Sequence, residues 1–372
     1  MWVSELQLAS FRNYQTLQTR FSEGRNLIHG PNGEGKTNLV EAIGYLSSLT
    51  SHRLGNQKSL IMDSSSSAQL SAKVKSGDRE ISVGVEINSG QSNKYYLNGS
   101  PRQRATDILG NLAAVVFAPE DLDIVRRDPG DRRGFLDQTS ALLRPRLGQL
   151  RLDYERVLKQ RNTLLKSSRG VKNPDLSTLD IWDEQLVDIG SQITEARFDL
   201  ISILGPNLQA FYTELSGSQE TIQLELVSLS VQDDPSAIDR DQIAKRLREN
   251  LQQNREQELD RGLTLFGPHR DELLITKAGL LARSHASQGE AWSLALGLKL
   301  AVASQLRDRP GGDPVVILDD VFAVLDPGRR ERLVEFVSSF QQVLVTAADP
   351  AATPALSWDA RFSVGGGEVL VA

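Results

Sequence analysis

The sequence has no cysteine, and its 372 residues include only four histidines. Without cysteine the chain cannot form disulfides, thiolate zinc sites or a cysteine nucleophile, and no two histidines are spaced to share a metal on one helix. No apolar run approaches the roughly 18 residues of a membrane-spanning helix, and residues 1–6 lack the basic and apolar regions of a secretion signal. We therefore expect a cytoplasmic protein with no membrane partner.

An excess of positive charge is also missing. The chain has 42 Lys and Arg against 48 Asp and Glu, a net charge of -6, which argues against a polycation that coats nucleic acid but leaves room for a local basic patch. Its 39% hydrophobic and 24% charged residues are typical of a globular protein. The length allows two or three domains.

What the sequence does contain is a complete phosphate-binding motif, G-x-x-x-x-G-K-[ST], between an apolar stretch and an amphipathic helix. The motif comprises Gly30, Pro31, Asn32, Gly33, Glu34, Gly35, Lys36 and Thr37. Its backbone N–H groups would wrap the phosphates, Lys36 would reach the β and γ phosphates, and the Thr37 hydroxyl would bind Mg²⁺. The alternative is a chance glycine turn, which the flanking strand and helix disfavour.

An apolar run over residues 315–318 ends in Asp319 and Asp320. Ligands of open α/β sheets bind at the carboxyl ends of strands, so both carboxylates should face the crevice of Lys36. Asp319 is then the Mg²⁺ ligand, through water, and Asp320 is the catalytic group that orients or deprotonates the attacking water. The alternative is a helix N-cap, although Asp326, before a proline, suits capping better.

A second phosphate-contacting segment is expected at Ser287, Gln288 and Gly289, which precede a helix rich in Ala and Leu. A hydroxyl and a backbone N–H at a helix start can bind phosphate. An ordinary N-cap, with Glu290 in the first turn, explains the same residues equally well.

Apolar residues spaced three and four apart predict two helices in the middle of the chain, the second about 35 residues long. We interpret them as an antiparallel, coiled-coil-like hairpin, with two core helices of a bundle as the alternative. Strands alternate with helices on both sides of this region, which favours a parallel sheet. The predicted domains are two parts of one α/β domain, 1–125 and 262–372, separated by a helical insertion, 126–261.

Charge is unevenly distributed over this insertion. Residues 126–172 carry a net charge of +8, whereas residues 173–261 carry -11. A basic stretch suits contacts to DNA phosphates, and the alternative is a solvated helix face that pairs with the acidic half. The candidate DNA-binding residues are Arg126, Arg127, Arg132, Arg133, Arg144, Arg146 and Arg151. His269 and Arg270 are either a phosphate-contacting loop or a buried histidine with a capping arginine.

These motifs, taken in order, resemble a known family. The phosphate loop, the Ser287 segment and the sequence Leu-Asp-Asp-Val-Phe at 318–322, followed by Asp326, are similar to the ABC-type ATPase heads of SMC-like DNA repair proteins. The stretches 11–14, 117–122 and 267–271 further resemble the bacterial RecF family. The implied fold is an ABC-type ATPase head formed by both chain ends, with an inserted all-helical, short coiled-coil-like arm.

The resemblance implies roles for individual residues. Ser287, Gln288 and Gly289 would contact the γ-phosphate held by a second protomer, Asp326 would lie in a loop that crosses the dimer interface, and Arg12 and Asn13 would lie near the nucleotide. Such heads usually carry a Gln after the strand ending near Phe117 and a His after the last core strand. Here Glu120 and Thr346 stand nearby, and the departure is consistent with slow hydrolysis.

The implied function is that of an ATP- and Mg²⁺-dependent DNA-binding protein that acts in replication, recombinational repair and the SOS response. It would dimerise on ATP, bind DNA at single-strand gaps or junctions, hydrolyse ATP weakly in a DNA-dependent way, and help load recombinase with RecO and RecR. Two alternatives stay open: an ATP-binding scaffold with negligible turnover, and the ATPase subunit of an ABC transporter.

Overall fold

A computed structural model describes residues 1–51, 57–171, 175–229, 231, 239–309, 311–354 and 357–372. They form two compact units. The head unit comprises Met1–Arg126, Asn207–Glu220 and Ala286–Ala372, and the insertion unit comprises Arg127–Pro206 and Thr221–His285. Within the described residues, no helix is both long and apolar enough to cross a membrane.

The strands of the described residues are β1 (Trp2–Phe11), β2 (Tyr14–Arg20), β3 (Gly24–His29), β4 (Ser67–Ser76), β5 (Arg79–Asn88), β6 (Lys94–Leu97), β7 (Ser100–Arg102), β8 (Ala114–Phe117), β9 (Ile222–Val227), β10 (Glu272–Lys277), β11 (Leu280–Leu281), β12 (Val315–Asp319), β13 (Gln342–Ala347), β14 (Ala360–Gly365) and β15 (Glu368–Val371).

The α-helices are α1 (Lys36–Ser48), α2 (Leu122–Arg126), α3 (Pro129–Leu143), α4 (Pro145–Ser168), α5 (Leu179–Ser216), α6 (Arg240–Gln253), α7 (Arg255–Arg261), α8 (Ala282–His285), α9 (Gln288–Arg307) and α10 (Pro327–Val337). The hairpin pair α4 and α5 confirms the predicted long helices. Part of the turn predicted between them, residues 172–174, lies outside the described residues.

The head unit contains two six-stranded sheets. The first has the order β15-β14-β3-β13-β12-β8 and is parallel except for β15, as the alternation of strands and helices predicts. The second, β2-β1-β4-β5-β6-β7, is antiparallel throughout, and its last four strands form a meander. The central strands β12 and β13 are buried at every position, as expected of a sheet covered on both faces.

The last residues of α5 belong to the head unit, not to the insertion as predicted. Gly297 of α9 lets α5 approach closely, since a Cβ there would lie 2.9 Å from Leu208 Cδ1. Phe211 packs edge-on against Phe336 with ring centroids 4.9 Å apart. Residues 207–220 therefore cluster with the head because their apolar side chains complete its core.

The insertion unit has a helical core in which α4, α5 and α6 contribute the buried residues Tyr154, Val157, Leu186, Val187, Ile193, Leu247 and Leu251. It is not all-helical, contrary to the prediction, because it also contains the antiparallel sheet β11-β10-β9. Residues 262–285, predicted to belong to the α/β domain, cluster with this unit because β10 pairs with β9 along its whole length.

Candidate nucleotide site

The phosphate loop joins β3 to α1, as the motif predicts. Lys36 opens the helix and is 4% exposed, and its Nζ donates to Gly30 O at 2.9 Å and Pro31 O at 3.0 Å. The ammonium group therefore lies inside the curl of the loop. Pro31, Asn32 and Gly33 are exposed, so the loop surface is open to a ligand.

Gly35 is held between the loop and the turn after β1. Its φ is 112°, and a Cβ there would lie within 2.9 Å of Asn13 and Tyr14 side-chain atoms, so no other residue fits. The Tyr14 hydroxyl donates to Gly35 O at 3.0 Å, and burial raises the pKa of Tyr14 so that it stays protonated. Asn13 Nδ2 donates to Glu34 O at 3.0 Å. Asn13 is thus beside the loop, as the resemblance implies.

Arg12 contacts α1 rather than the loop. Its guanidinium makes a two-point ion pair with the fully buried Glu41, at 2.9 and 2.7 Å, and donates to Ser59 O at 2.9 Å. A bidentate arginine–carboxylate pair fixes both groups. Arg12 thus anchors the helix that follows the loop, and its place near the nucleotide stays a prediction.

The strand-end carboxylate Asp319 meets Thr37. Thr37 Oγ1 donates to Asp319 Oδ1 at 3.0 Å, and Thr346 Oγ1 donates to the same oxygen at 2.6 Å. Thr346 ends up here because β12 and β13 are parallel neighbours, with Asp319 paired to Thr346. Thr346, which stands near the position where such heads usually carry a His, thus orients the Asp319 carboxylate.

Asp320 has a left-handed backbone, with φ 52°, and its N–H donates to Thr346 Oγ1 at 2.9 Å. Burial raises the pKa of its carboxyl above the usual 3.8, Asp319 raises it further, and Lys36 opposes the rise. Strained backbone and a raised carboxyl pKa are common where a side chain is held for chemistry. The side chain is half-buried and does not cap a helix, which disfavours the N-cap alternative.

A hard divalent cation fits the oxygen groups gathered here. Thr37 supplies a hydroxyl and Asp319 a carboxylate, the two groups already lie in contact, and Mg²⁺ in phosphate sites takes one or two protein oxygens beside phosphate and water. Within the described residues, no cluster of three or more His, Cys, Asp or Glu could hold a metal alone. Such an ion would therefore depend on a phosphate ligand.

Ser287 caps α9 in a reciprocal capping box with Glu290: Ser287 Oγ accepts from Glu290 N at 3.3 Å, and Glu290 Oε2 accepts from Ser287 N at 2.7 Å. Both Ser287 and Gln288 are exposed. The predicted N-cap is thus present, and it leaves the segment displayed at the surface of the head unit. Asp326 caps α10 through its side chain, which accepts from Arg329 N at 3.1 Å.

Glu120 lies just beyond the end of β8, which is the neighbour of β12. Its side chain is exposed, whereas the adjacent Asp121 is tied to Lys299 at 2.8 Å. The geometry leaves Glu120 available at the same edge of the sheet as Asp319. Sequence reasoning gave no role to Tyr14, although it lies in the 11–14 stretch, and it missed Arg329. The contacts of both depend on residues distant in sequence.

The basic stretch is only partly available to a ligand. Arg132 is 3% exposed and paired with Glu272 at 2.5 Å, so it is not a surface phosphate contact as predicted. Arg133 is only partly exposed and donates to Asp271 O, and Arg151 pairs with Asp137 and Glu155. The exposed members of the predicted set are Arg126, Arg127, Arg144 and Arg146, of which Arg126 donates to Ala286 O and Arg144 pairs with Asp199.

The segment 267–271 is structural. His269 Nδ1 lies 2.8 Å from the Tyr154 hydroxyl, and burial lowers the pKa of His269 to about 4, so the ring is neutral at physiological pH. Arg270 Nη2 donates to Thr264 O. The structure thus agrees with the alternative of a buried histidine beside a capping arginine.

Comparisons with known proteins agree with this geometry. Residues 2–356 match the family described as RecF/RecN/SMC N terminal domain. The chain is 43% identical to the DNA replication and repair protein RecF of Streptomyces avermitilis, over 99% of both chains, and 46% identical to that of Clavibacter michiganensis subsp. michiganensis, over 94% of this chain and 90% of the other.

Solved structures give the same result. The recombination mediator protein RecF with ATP, from the RecFOR pathway, superposes with a TM-score of 0.90 at 28% identity, covering 100% of this chain and 97% of that one. An Smc head bound to the C-winged helix domain of ScpA, at a TM-score of 0.53 and 17% identity, shares the fold. The predicted fold class, an SMC-like ABC-type ATPase head, is confirmed, and the chain belongs to the RecF family.

Proposed function

We propose that this protein is an ATP-gated DNA clamp for replication and recombinational repair in the cytoplasm. ATP and Mg²⁺ bind at Gly30 to Thr37, two copies close around the triphosphates, and the closed dimer retains DNA. Hydrolysis reopens it. The observation that carries the proposal is the meeting of Lys36, Thr37, Asp319 and Asp320 at one sheet edge, together with an exposed Ser287 segment on the same unit.

The exposed groups of the head unit favour a second copy as the partner. Ser287 and Gln288 display a hydroxyl and an amide at the start of α9, and Val324, beside the Asp326 loop, is 44% exposed. An apolar side chain next to an exposed carboxylate suits a protein interface. In the dimer, the Ser287 segment of one copy would bind the γ-phosphate held by the other.

Hydrolysis needs a group that takes a proton from water. Asp320 has its carboxylate beside Lys36 and Asp319, and its raised pKa makes it a better base than an ordinary aspartate. The water oxygen bonds to the γ-phosphorus, the bond from that phosphorus to the bridging oxygen breaks, and ADP leaves. Mg²⁺, when bound by Thr37 and Asp319, would neutralise phosphate charge.

DNA contacts would come from basic side chains that face solvent without a carboxylate partner. On and just after α4, Arg146, Lys159, Lys166 and Arg169 are exposed, and within the described residues no carboxylate oxygen lies within 4 Å of their cationic nitrogens. Lys159 and Lys166 are seven residues apart and so share one helix face. Such contacts bind the DNA backbone without reading sequence.

The wider role follows from relatives named as RecF and placed in the RecFOR pathway. We propose that the clamp acts at single-strand gaps or junctions, with weak, DNA-stimulated ATP hydrolysis, and cooperates with RecO and RecR in loading recombinase. A switch that depends on the γ-phosphate gives this protein distinct states before and after hydrolysis.

Sedimentation with ATP, with ADP and without nucleotide tests the gate. We expect a monomer that becomes a dimer with ATP only, and Lys36→Ala to remain monomeric because its triphosphate is no longer neutralised. Lys94→Ala, which breaks an exposed pair with Glu86, is the matched control and should dimerise. Identical sedimentation of the natural protein with ATP and ADP would contradict the proposal.

A further inference from the structure

Arg329, on the first turn of α10, connects two segments expected to act on the partner's nucleotide. Its Nε donates to Ser293 Oγ at 2.9 Å, and its Nη1 donates to Asp326 Oδ2. Ser293 is fully buried in α9 and in turn donates to Gly289 O at 3.2 Å. A continuous chain of hydrogen bonds thus runs from the Asp326 loop to the segment containing Gly289.

The guanidinium also lies directly against Gly289. A Cβ at this position would lie 3.0 Å from Arg329 Nη2, 3.1 Å from Nη1 and 3.2 Å from Cζ. A side chain at this position would push the guanidinium by a few tenths of an ångström, so glycine lets Arg329 hold its present position. The close approach of Arg329 therefore accounts for glycine at position 289. Its backbone does not, because φ there is outside the left-handed region that favours glycine.

These contacts join the first turn of α9 to the loop before α10. Arg329 is 21% exposed and Asp326 is 47% exposed, so the pair lies at the surface, whereas Ser293 anchors the arginine in the core. A planar guanidinium that donates in two directions fixes both partners more firmly than a lysine could.

We propose that Arg329 is a positioning residue that makes the Ser287–Gly289 segment and the Asp326 loop one rigid element, which acts on the nucleotide held by the second copy. The inference rests on the proposed ATP-dependent dimer. Specifically, Arg329 acts in trans. A subunit that lacks it keeps an intact nucleotide loop, and it fails only when its Ser287–Gly289 segment has to complete the site of the other subunit.

Mixed dimers test this. Arg329→Ala alone should lower ATP hydrolysis by about 10- to 100-fold, as expected from a lost charge-assisted contact, while ATP binding by the monomer changes less than about twofold. Asp320→Asn alone is inactive because its own site lacks the base. A mixed dimer has one site with the intact loop of the Arg329→Ala subunit and the intact Ser287 segment of the Asp320→Asn subunit.

An equal mixture of the two variants should therefore regain about a quarter of the natural activity, since half of randomly formed dimers are mixed and each has one working site of two. Arg332→Ala is the control, because that arginine lies on the same helix but donates to Leu215 O, and it should leave activity unchanged. Arg329→Lys should recover less than half of the activity, since lysine cannot hold Ser293 and Asp326 together.

No recovery on mixing, with the natural protein still dimerising on ATP, overturns the coupling alone. If the natural protein forms no dimer with ATP, both the coupling and the proposed gate fail. Weakened ATP binding by the Arg329→Ala monomer also overturns the inference, because it places the residue in its own subunit's site.

Discussion

Two clusters of charged side chains, one in each unit, show how differently such groups are used. In the head unit, Lys36 donates to two backbone carbonyls, and the pKa of the Asp320 carboxyl is raised. Among the described residues, Asp320 has no salt-bridge partner. In the insertion unit, Arg161 is fully buried and bonded on three sides, to Asp183 and Glu258 at 2.6 Å each and to Thr264 at 2.9 Å. We call the first cluster unsaturated, because its charged groups can still bind a ligand, and the second complete, because its charged groups bond one another.

Charge counted along a sequence therefore does not show which charged groups are available to a ligand. Arg197 is another complete case, since it pairs with Asp137 and Asp271 while 4% exposed. On the outside of the same unit, Arg248 pairs with Glu184 at 2.8 Å and Arg240 with Asp188 at 2.5 Å. Much of the acidic half of the insertion therefore neutralises arginines of its own unit.

Removing the centre of the complete cluster should have the largest effect on stability. Arg161→Ala leaves Asp183 and Glu258 buried without their cation, and we expect it to cost about 3–5 kcal/mol of unfolding free energy. Thermal unfolding of the variant measures the loss.

Arg248→Ala is the matched control, because that pair is exposed and such pairs contribute at most about 1 kcal/mol. Equal losses for the two variants would remove the distinction between a complete buried cluster and surface pairing.

Changing the unsaturated cluster should affect turnover and leave folding intact. Asp320→Asn keeps the shape and tolerates the left-handed backbone, since asparagine is among the residues that adopt positive φ readily. We expect single-turnover hydrolysis to fall by about 10²- to 10⁴-fold, the usual contribution of a catalytic base. Rates indistinguishable from those of the natural protein would favour a scaffold with negligible turnover.

The pH dependence of hydrolysis and of stability gives a second test of Asp320. Because the pKa of Asp320 is raised, hydrolysis should decline with falling pH at values above the usual 3.8 of an aspartate. A raised carboxyl pKa also makes the ionised form cost stability, and that cost appears as pH rises through the raised value. Asp320→Asn should therefore melt higher than the natural protein at pH 7, with the gap closing towards pH 4. A difference in melting temperature that widens at low pH would show that folding lowers the pKa of Asp320 instead of raising it.

The smallest effect is expected on the surface of the insertion unit. The double variant Lys159→Ala and Lys166→Ala should weaken DNA binding for all sequences alike. The slope of log K against log salt concentration should become shallower by about 1.8, as expected for the loss of two phosphate contacts. Arg156→Ala, whose partner is Asp153, is the control and should change the slope less. An unchanged slope in the double variant would exclude this face of α4 from DNA contact.

The sequence was most informative where a motif is contiguous. Gly30 to Thr37, the apolar strand before Asp319 and the capping residues Ser287 and Asp326 were all recognisable because local rules for turns, strands and helix starts act on neighbours. The long helices followed from apolar spacing in the same way.

Long-range features were beyond such rules. That Thr346 bridges Asp319 and Asp320 depends on the parallel register of β12 and β13. That Arg132 is buried depends on Glu272, 140 residues away. The C-terminal boundary of the insertion was wrong for a related reason: β10 was assigned by sequence proximity, whereas its partner β9 decides where it packs.

The placement of β3 has a consequence for biosynthesis. This strand leads into the phosphate loop, yet its two neighbours are β13, where Gln342 pairs with Gly24, and β14, where Ala360 pairs with Asn26. A ribosome making about 5–20 residues per second must therefore translate residues 342–347 and 360–363 before the loop at 30–37 has both of its supporting strands. Chains that stop before Gln342 lack both supporting strands and should lose the ability to hold nucleotide, although every residue of the motif has already been translated.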